Sequence, residues 1–281
     1  MSVFRDISSK AKSYLKGVPV AERLNSSLSS KILYSQFGED VHIRSFYERL
    51  AFDRGIKVAK GCIVDIGAFH PMSLSNTYSF YKAGWHCINI DPSPGSMKLF
   101  NAIRPKDTNL KIAIASEERE ALFYTFGNPS VWNTLDAGAA AEASKKLGCE
   151  PTIERVEVRR LDEVLETHLC DRAFEVLLID AEGLDVDILQ SNDWDIYQPR
   201  LVLVEVHNVT ASTLPENPVV QYLCGLGYAL HSWINPNLLF VRADSTLDAA
   251  QLAPAVLKAV DPMSRGIRRA PATEPTFKRA T

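Results

Sequence analysis

Between residues 62 and 207 the chain repeats one pattern: a short, largely apolar run, four of the five with an acidic residue at or near its end. The runs are 62–66, 86–91, 110–115, 174–180 and 201–207. Largely apolar runs of this length belong to strands covered on both faces, because an exposed face would show alternation. Helix-spaced segments over 74–83 and 95–103 separate the first three runs and are long enough to carry parallel crossovers. The expected fold is therefore α/β, with a doubly wound, mostly parallel sheet.

The stretch 121–160 breaks this rhythm. Residues 121–126 and 153–160 read as strands around an Ala-rich helix over 137–147, an insertion or extra hairpin. Residues 227–242 read as a terminal antiparallel hairpin turning at Asn235-Pro236-Asn237. Upstream, Val41, Ile43, Phe46, Tyr47 and Leu50 fall near one face of a helix that starts from the polar segment 35–40. This divides the chain into an N-terminal helical extension (1–33), a central domain (34–243) and a C-terminal helix with a disordered tail (244–281). The tail mixes Pro and Thr with Arg265, Arg268, Arg269, Lys278 and Arg279.

Charge and cysteine usage exclude several function classes. With 31 Lys plus Arg against 34 Asp plus Glu, the formal net charge is -3, which gives no electrostatic reason for a nucleic-acid partner. The five cysteines form no C-x-x-C pair, so neither a structural zinc site nor a redox dithiol is expected. No run approaches the roughly 20 apolar residues of a membrane span, and the N-terminus lacks the apolar core of a signal peptide. A reduced, cytoplasmic protein without a transmembrane segment is the expectation.

Open parallel sheets bind ligands beyond the carboxyl ends of their strands. Asp65, Asp91, Asp180 and the pair Glu205 and His207 stand at four such ends, so they are expected to converge on one crevice. Any one of these acids alone is ordinary helix-cap chemistry; four together are not. The first turn, Val64-Asp65-Ile66-Gly67-Ala68-Phe69-His70, has a single glycine and lacks the G-x-G-x-x-G that cradles a diphosphate. Asp91, ending the second strand, suits the two hydroxyls of a ribose. An adenosine ligand without a diphosphate follows; S-adenosylmethionine fits and NAD fits less well.

The segments YSQFGED (34–40), VDIGAFHP (64–71), SNT (75–77), GWHCINIDPSPGSM (84–97), RPKD (104–107), IDAEGLDVDIL (179–189), SNDW (191–194) and LVLVE (201–205), in this order and spacing, resemble the FkbM-type S-adenosylmethionine-dependent methyltransferases. The resemblance implies a class I methyltransferase (Rossmann-like) sheet of seven strands, and methyl transfer to a hydroxyl of a sugar, glycan or related natural product. It places Asp65, Gly67 and Ala68 under the methionine part of the cofactor, with Asp65 near the amino group and Asn76 reaching the carboxylate. Asp91 takes the ribose, Asp107 approaches the adenine edge, and Asp180 and Glu182 lie beside the sulfonium. The plain structural alternatives are a cap for Asn76, a surface ion pair for Arg104 and Asp107, and a first-turn helix acid for Glu182.

An acceptor hydroxyl needs its proton removed, and His207 is the expected general base because His titrates near neutral pH. Alternatively Asp180, Glu205 and His207 hold one divalent cation that acidifies the hydroxyl. His70 has a contact with cofactor or substrate, or a capping role; His231 and Trp233 line the acceptor pocket, or in the case of Trp233 the core. Two competing functions remain. A glycosyltransferase would use Asp185-Val186-Asp187 to chelate a metal on a sugar nucleotide, but on a helix those carboxylates point to different faces. A non-catalytic scaffold would keep the fold without the chemistry.

Overall fold

The computed structural model describes residues 33–54, 60–181 and 183–243. The expected extension over 1–33, apart from Leu33, and the expected helix and tail over 244–281 lie outside the described residues. The elements run α1 (Glu39–Arg54), β1 (Cys62–Ile66), α2 (Tyr78–Lys82), β2 (His86–Ile90), α3 (Pro94–Ile103), β3 (Thr108–Leu110), β4 (Ala113–Ile114), β5 (Arg119–Thr125), α4 (Ala137–Leu147), β6 (Thr152–Arg159), α5 (Leu161–His168), β7 (Phe174–Ile179), α6 (Asp185–Gln190), β8 (Leu201–Glu205), a 3₁₀ turn, α7 (Pro218–Gly225), β9 (Tyr228–Ile234) and β10 (Asn237–Arg242).

Seven strands form one sheet in the order β3-β2-β1-β7-β8-β10-β9. Pairing is parallel from β3 to β8, and β10 inserts antiparallel between β8 and β9. The order reverses between β1 and β7, which opens a crevice above their carboxyl ends.

The two faces of the sheet bury different residues, as strand alternation requires. One face carries Val64, Ile66, Ile88, Leu177, Ile179, Val202 and Phe240, packed on Leu161 and Leu165 of α5, Ile188 and Leu189 of α6, and Val220 and Leu223 of α7. The other carries Ile63, Cys87, Val176, Leu178, Leu201 and Leu239, packed on Ile43, Tyr47 and Leu50 of α1 and Phe80 of α2. The 4- and 3-residue spacings among Ile43, Tyr47 and Leu50 place all three on the inward stripe of α1.

Three sequence expectations shift. The third apolar run, 110–115, is not one strand. Its start belongs to β3, where Leu110 pairs with Ile90, and its end forms β4, where Ala113 pairs with Val158 of β6. The chain changes sheets at Lys111-Ile112, and β4, β6 and β5 form a separate three-stranded sheet. The helix expected over 74–83 shrinks to residues 78–82: Leu74 sits at φ +56, Ser75 Oγ accepts the N–H groups of Thr77 and Tyr78 where the helix starts, and the Thr77 side chain turns inward to Asp65 instead of capping. The hairpin forms, with Asn237 the first residue of β10 rather than part of the turn.

Candidate active site

A cavity of about 480 Å³ opens above the switch point of the sheet. Asp65, Gly67 and Ala68 come to its wall from the end of β1, Asp91 and Ser93 from the end of β2, and Asp180 from the end of β7. Asn76 and Leu74 flank it, and Gln36 lines it from the segment before α1. The opposite wall is the small sheet and the β5–α4 connection, through Phe123, Asn133, Thr134 and Leu135. That connection is tied to the floor: Asn128 Oδ1 accepts from the Ser93 hydroxyl (3.1 Å) and from Gly95 N–H (3.1 Å).

Gly67 is held at φ +81, and a Cβ there would stand 1.8 Å from the Asp180 carbonyl oxygen. The β1 turn and the β7 end therefore touch backbone to backbone, and only glycine permits the contact. Asp91 fixes the same turn from the other side. Its Oδ2 accepts Phe69 N–H (2.9 Å) and its Oδ1 accepts Ser93 N–H (2.7 Å). Phe69 adopts φ +53, a conformation costly for a bulky residue, and the Asp91 bond helps hold it there.

The three acids are all harder to ionise than free aspartate. Burial pushes Asp65 up to about 6, against the opposing pull of Arg104 and the Thr77 hydroxyl. Burial pushes Asp91 up to about 6, against its two backbone N–H bonds. Asp180 rises to about 8, first through desolvation and then through a hydrogen bond and like charge from Glu205, with Glu39 adding to the rise and His207 opposing it. The Asp180 residue is exposed, but its open surface faces the cavity it lines, and the surrounding protein keeps the carboxyl poorly solvated.

The Methyltransferase FkbM domain matches residues 65–230, more than half of the chain. The chain belongs to the FkbM methyltransferase family. Among solved structures, that of methyltransferase FkbM from Methylobacillus flagellatus KT is similar at 12% identity and a TM-score of 0.41, over 70% of this chain and 50% of that one. The chain thus spans half the length of that protein. A search of curated proteins finds no match.

Within this FkbM domain the structure brings Asp65, Gly67, Ala68, Asn76, Asp91 and Asp180 to one cavity, and leaves Asp107, Glu205 and His207 off its wall. Glu182 lies outside the described residues. Asp107, expected at the adenine edge, does not line the cavity. Its side chain is 1% exposed, ion-paired to the fully buried Arg104 at 2.7 Å, and accepts Cys87 N–H at 3.1 Å. The pair is neither at the surface nor at the cavity; it is a buried clamp beneath β1 and β2. His207 likewise stands outside: β8 ends at Glu205, Asn208 follows at φ +57, and the imidazole is 58% exposed, touching Glu205 Oε2 through Nε2 at 3.3 Å. Among the described residues no three His, Cys, Asp or Glu side chains are placed to hold a metal ion. The expected cation site of Asp180, Glu205 and His207 is not formed; the Glu205 carboxyl instead hydrogen-bonds Asp180 and touches His207 Nε2 at 3.3 Å.

Other candidates settle into structural roles. His70 Nδ1 accepts N–H bonds from Met72 (3.1 Å) and Ser73 (2.9 Å), a cap. His231 packs edge-on to Phe46 of α1 at 5.8 Å, and neither it nor Trp233 lines the cavity. Asp187 of the D-x-D bonds the Ser116 hydroxyl and accepts Ser116 N–H (3.2 Å), which removes it from metal chelation. No helix among the described residues is long and apolar enough to cross a membrane.

Sequence reasoning missed the wall contributed by the small sheet, whose strands looked like an insertion, and the inward role of Thr77. A hydroxyl in a short polar segment carries no periodic signal.

Proposed function

We propose that this chain is an S-adenosylmethionine-dependent O-methyltransferase acting on a hydroxyl of a sugar, glycan or related natural product. The observation that carries the reading is the convergence of Asp65, Asp91 and Asp180, from three strands, on a single cavity at the switch point. The residues present fit the methyl donor. Asn76 Oδ1 is buried without a hydrogen-bond partner, an acceptor at the cavity wall waiting for a donor. An amide oxygen only accepts, so Asn76 Oδ1 joins Asp65 in accepting from the α-amino group of the donor's methionine part, and the Asn76 amide nitrogen is the atom left for the carboxylate expected from the sequence. Asp91 keeps lone pairs for ribose hydroxyls beyond those given to Phe69 and Ser93. Bound there, S-adenosylmethionine supplies an electrophilic methyl group on a positively charged sulfur.

With His207 off the cavity wall, Asp180 is the group we assign to receive the acceptor's proton. A carboxyl pushed up to about 8 is a far stronger base, once ionised, than ordinary aspartate, which suits a hydroxyl. A cation bound beside it favours the ionised form. Glu205, bonded behind Asp180, and the exposed His207 beyond it form a path by which that proton reaches solvent. The test is calorimetry with S-adenosylhomocysteine and with UDP, followed by transfer of labelled methyl to glycans of the host. Binding of S-adenosylhomocysteine alone supports the reading; binding of UDP alone supports a glycosyltransferase, and binding of neither supports a scaffold.

A further inference from the structure

Thr77 of the SNT motif and Arg104 of RPKD are left without a part in ligand binding by this account, yet they meet under the cavity floor. Arg104, at the end of α3, is fully buried. Its Nε donates to Asp107 Oδ2 at 2.8 Å, and Nη2 stands in ion-pair contact with the same oxygen at 2.7 Å. Its Nη1 donates to the Thr77 hydroxyl oxygen at 2.9 Å, and that hydroxyl lies 3.1 Å from Asp65 Oδ2. Arginine only donates, and a hydroxyl has one hydrogen. Arg104 therefore donates to Thr77, and the single Thr77 hydrogen goes to the Asp65 carboxylate at 3.1 Å, a shorter and charged contact than the Ser75 hydroxyl at 3.4 Å.

We propose that Arg104 and Thr77 are positioning residues that orient Asp65 to read the amino group of the methyl donor's amino-acid part. The inference rests on the S-adenosylmethionine reading above. Asp65 Oδ2 is held by Thr77, which leaves Oδ1 for the cavity that the residue lines. Asn76, next to Thr77 in the chain, brings its unpartnered Oδ1 to the same wall. Two oxygen acceptors, one of them an aspartate kept easier to ionise by Arg104, match an ammonium group and not a second anion. The register supports the arrangement from below: Asp65 pairs across to Asn89 and Asn89 to Asn109, whose amide and carbonyl meet at 2.8 Å on the same side as the clamp.

The two probes that isolate this role are S-adenosylhomocysteine, which has the amino-acid part, and 5′-methylthioadenosine, which keeps the adenosine and sulfur but lacks it. Affinities of both are measured by calorimetry on the full chain. Thr77→Val is expected to weaken S-adenosylhomocysteine by about 10-fold, the scale of one hydrogen bond to a charged group, and to leave 5′-methylthioadenosine within about 2-fold. Thr77→Ser, which keeps the hydroxyl, is expected to restore the wild-type ratio. Thr77→Ala removes the same hydroxyl without filling its space and gives the same readout should valine fail to fold. Equal losses for the two ligands, or no loss in either hydroxyl-free variant, overturn the proposal. If wild type binds neither probe, the methyl-donor reading itself fails, and that is known before any variant is made.

Discussion

Removing the Asp91 carboxylate separates what the residue does for the fold from what it does for a ligand. In Asp91→Ala, Phe69 N–H and Ser93 N–H lose their acceptors at 2.9 and 2.7 Å. Each N–H bond to a charged group is worth about 1.5–3 kcal/mol when the donor is left stranded. Against this, burial and surroundings hold Asp91 at about 6 instead of 3.8, so the anion sits in the folded protein at a cost of about 3 kcal/mol at neutral pH. The alanine variant loses that cost too, and cavity water reaches the freed N–H groups. The two bonds, about 3–6 kcal/mol together, are offset in large part by the relieved cost of about 3 kcal/mol, so the melting temperature should fall only modestly. Affinity has no such offset: loss of a charged pair to ribose should weaken S-adenosylhomocysteine by about 10- to 150-fold. Calorimetry and thermal unfolding on the same sample decide. Unchanged affinity in a folded variant refutes the ribose assignment, and a collapse in melting temperature shows the carboxylate is mainly a structural clamp for the Phe69 turn.

Other outcomes follow from the same geometry. Gly67→Ala should cost more than about 2 kcal/mol of stability, because its Cβ meets the Asp180 carbonyl at 1.8 Å in a backbone region closed to alanine; a soluble variant with wild-type melting temperature would contradict the backbone contact. The raised acids make opposite demands on pH. Asp65 and Asp91 at about 6 and Asp180 at about 8 lie above their unfolded values, so the folded state holds extra protons and their contribution to stability is lost as pH rises through 6 and 8. The ligand-free wild type should therefore lose melting temperature relative to Asp180→Asn as pH rises from 5 to 8, while S-adenosylhomocysteine affinity falls below pH 6 as Asp65 and Asp91 protonate; a pH slope that is the same in wild type and Asp180→Asn would refute the assignment. On an acceptor found by labelled-methyl transfer, Asp180→Asn should lower turnover ~100-fold or more while affinity for S-adenosylhomocysteine, whose sulfur carries no charge, changes less, and His207→Ala should lower turnover less; the reverse order would restore His207 as the direct base. Deleting residues 263–281, which carry no apolar periodicity, should leave both melting temperature and S-adenosylhomocysteine binding unchanged, as checked by thermal unfolding and calorimetry.

The alternation of apolar runs with helix-spaced segments was enough, by itself, to define the parallel sheet and to send Asp65, Asp91 and Asp180 to one end of it. Strand direction and side-chain alternation are local properties, and the rule that ligands bind beyond carboxyl ends needs no further contact. The Ala-rich helix and its two flanking strands were equally legible, since each has its own period. What those strands do was not: nothing in their pattern says that β5 and β6 pair apart from the main sheet with β4, or that their connection walls the cavity. Pairing partners distant in the chain are chosen by packing. The same limit explains Asp107 and His207. Asp107 sits one residue before β3 and looked accessible to a ligand, but the buried guanidinium of Arg104 claims it. His207 is two residues beyond Glu205, which on a continuing strand places both on one face; the strand stops at Glu205, and the imidazole turns outward. Sequence determined which charges gather at the strand ends. Only the tertiary structure decided which of them face the cavity and which are consumed in holding it open, because a buried charge must find a partner, and that partner lies elsewhere in the chain.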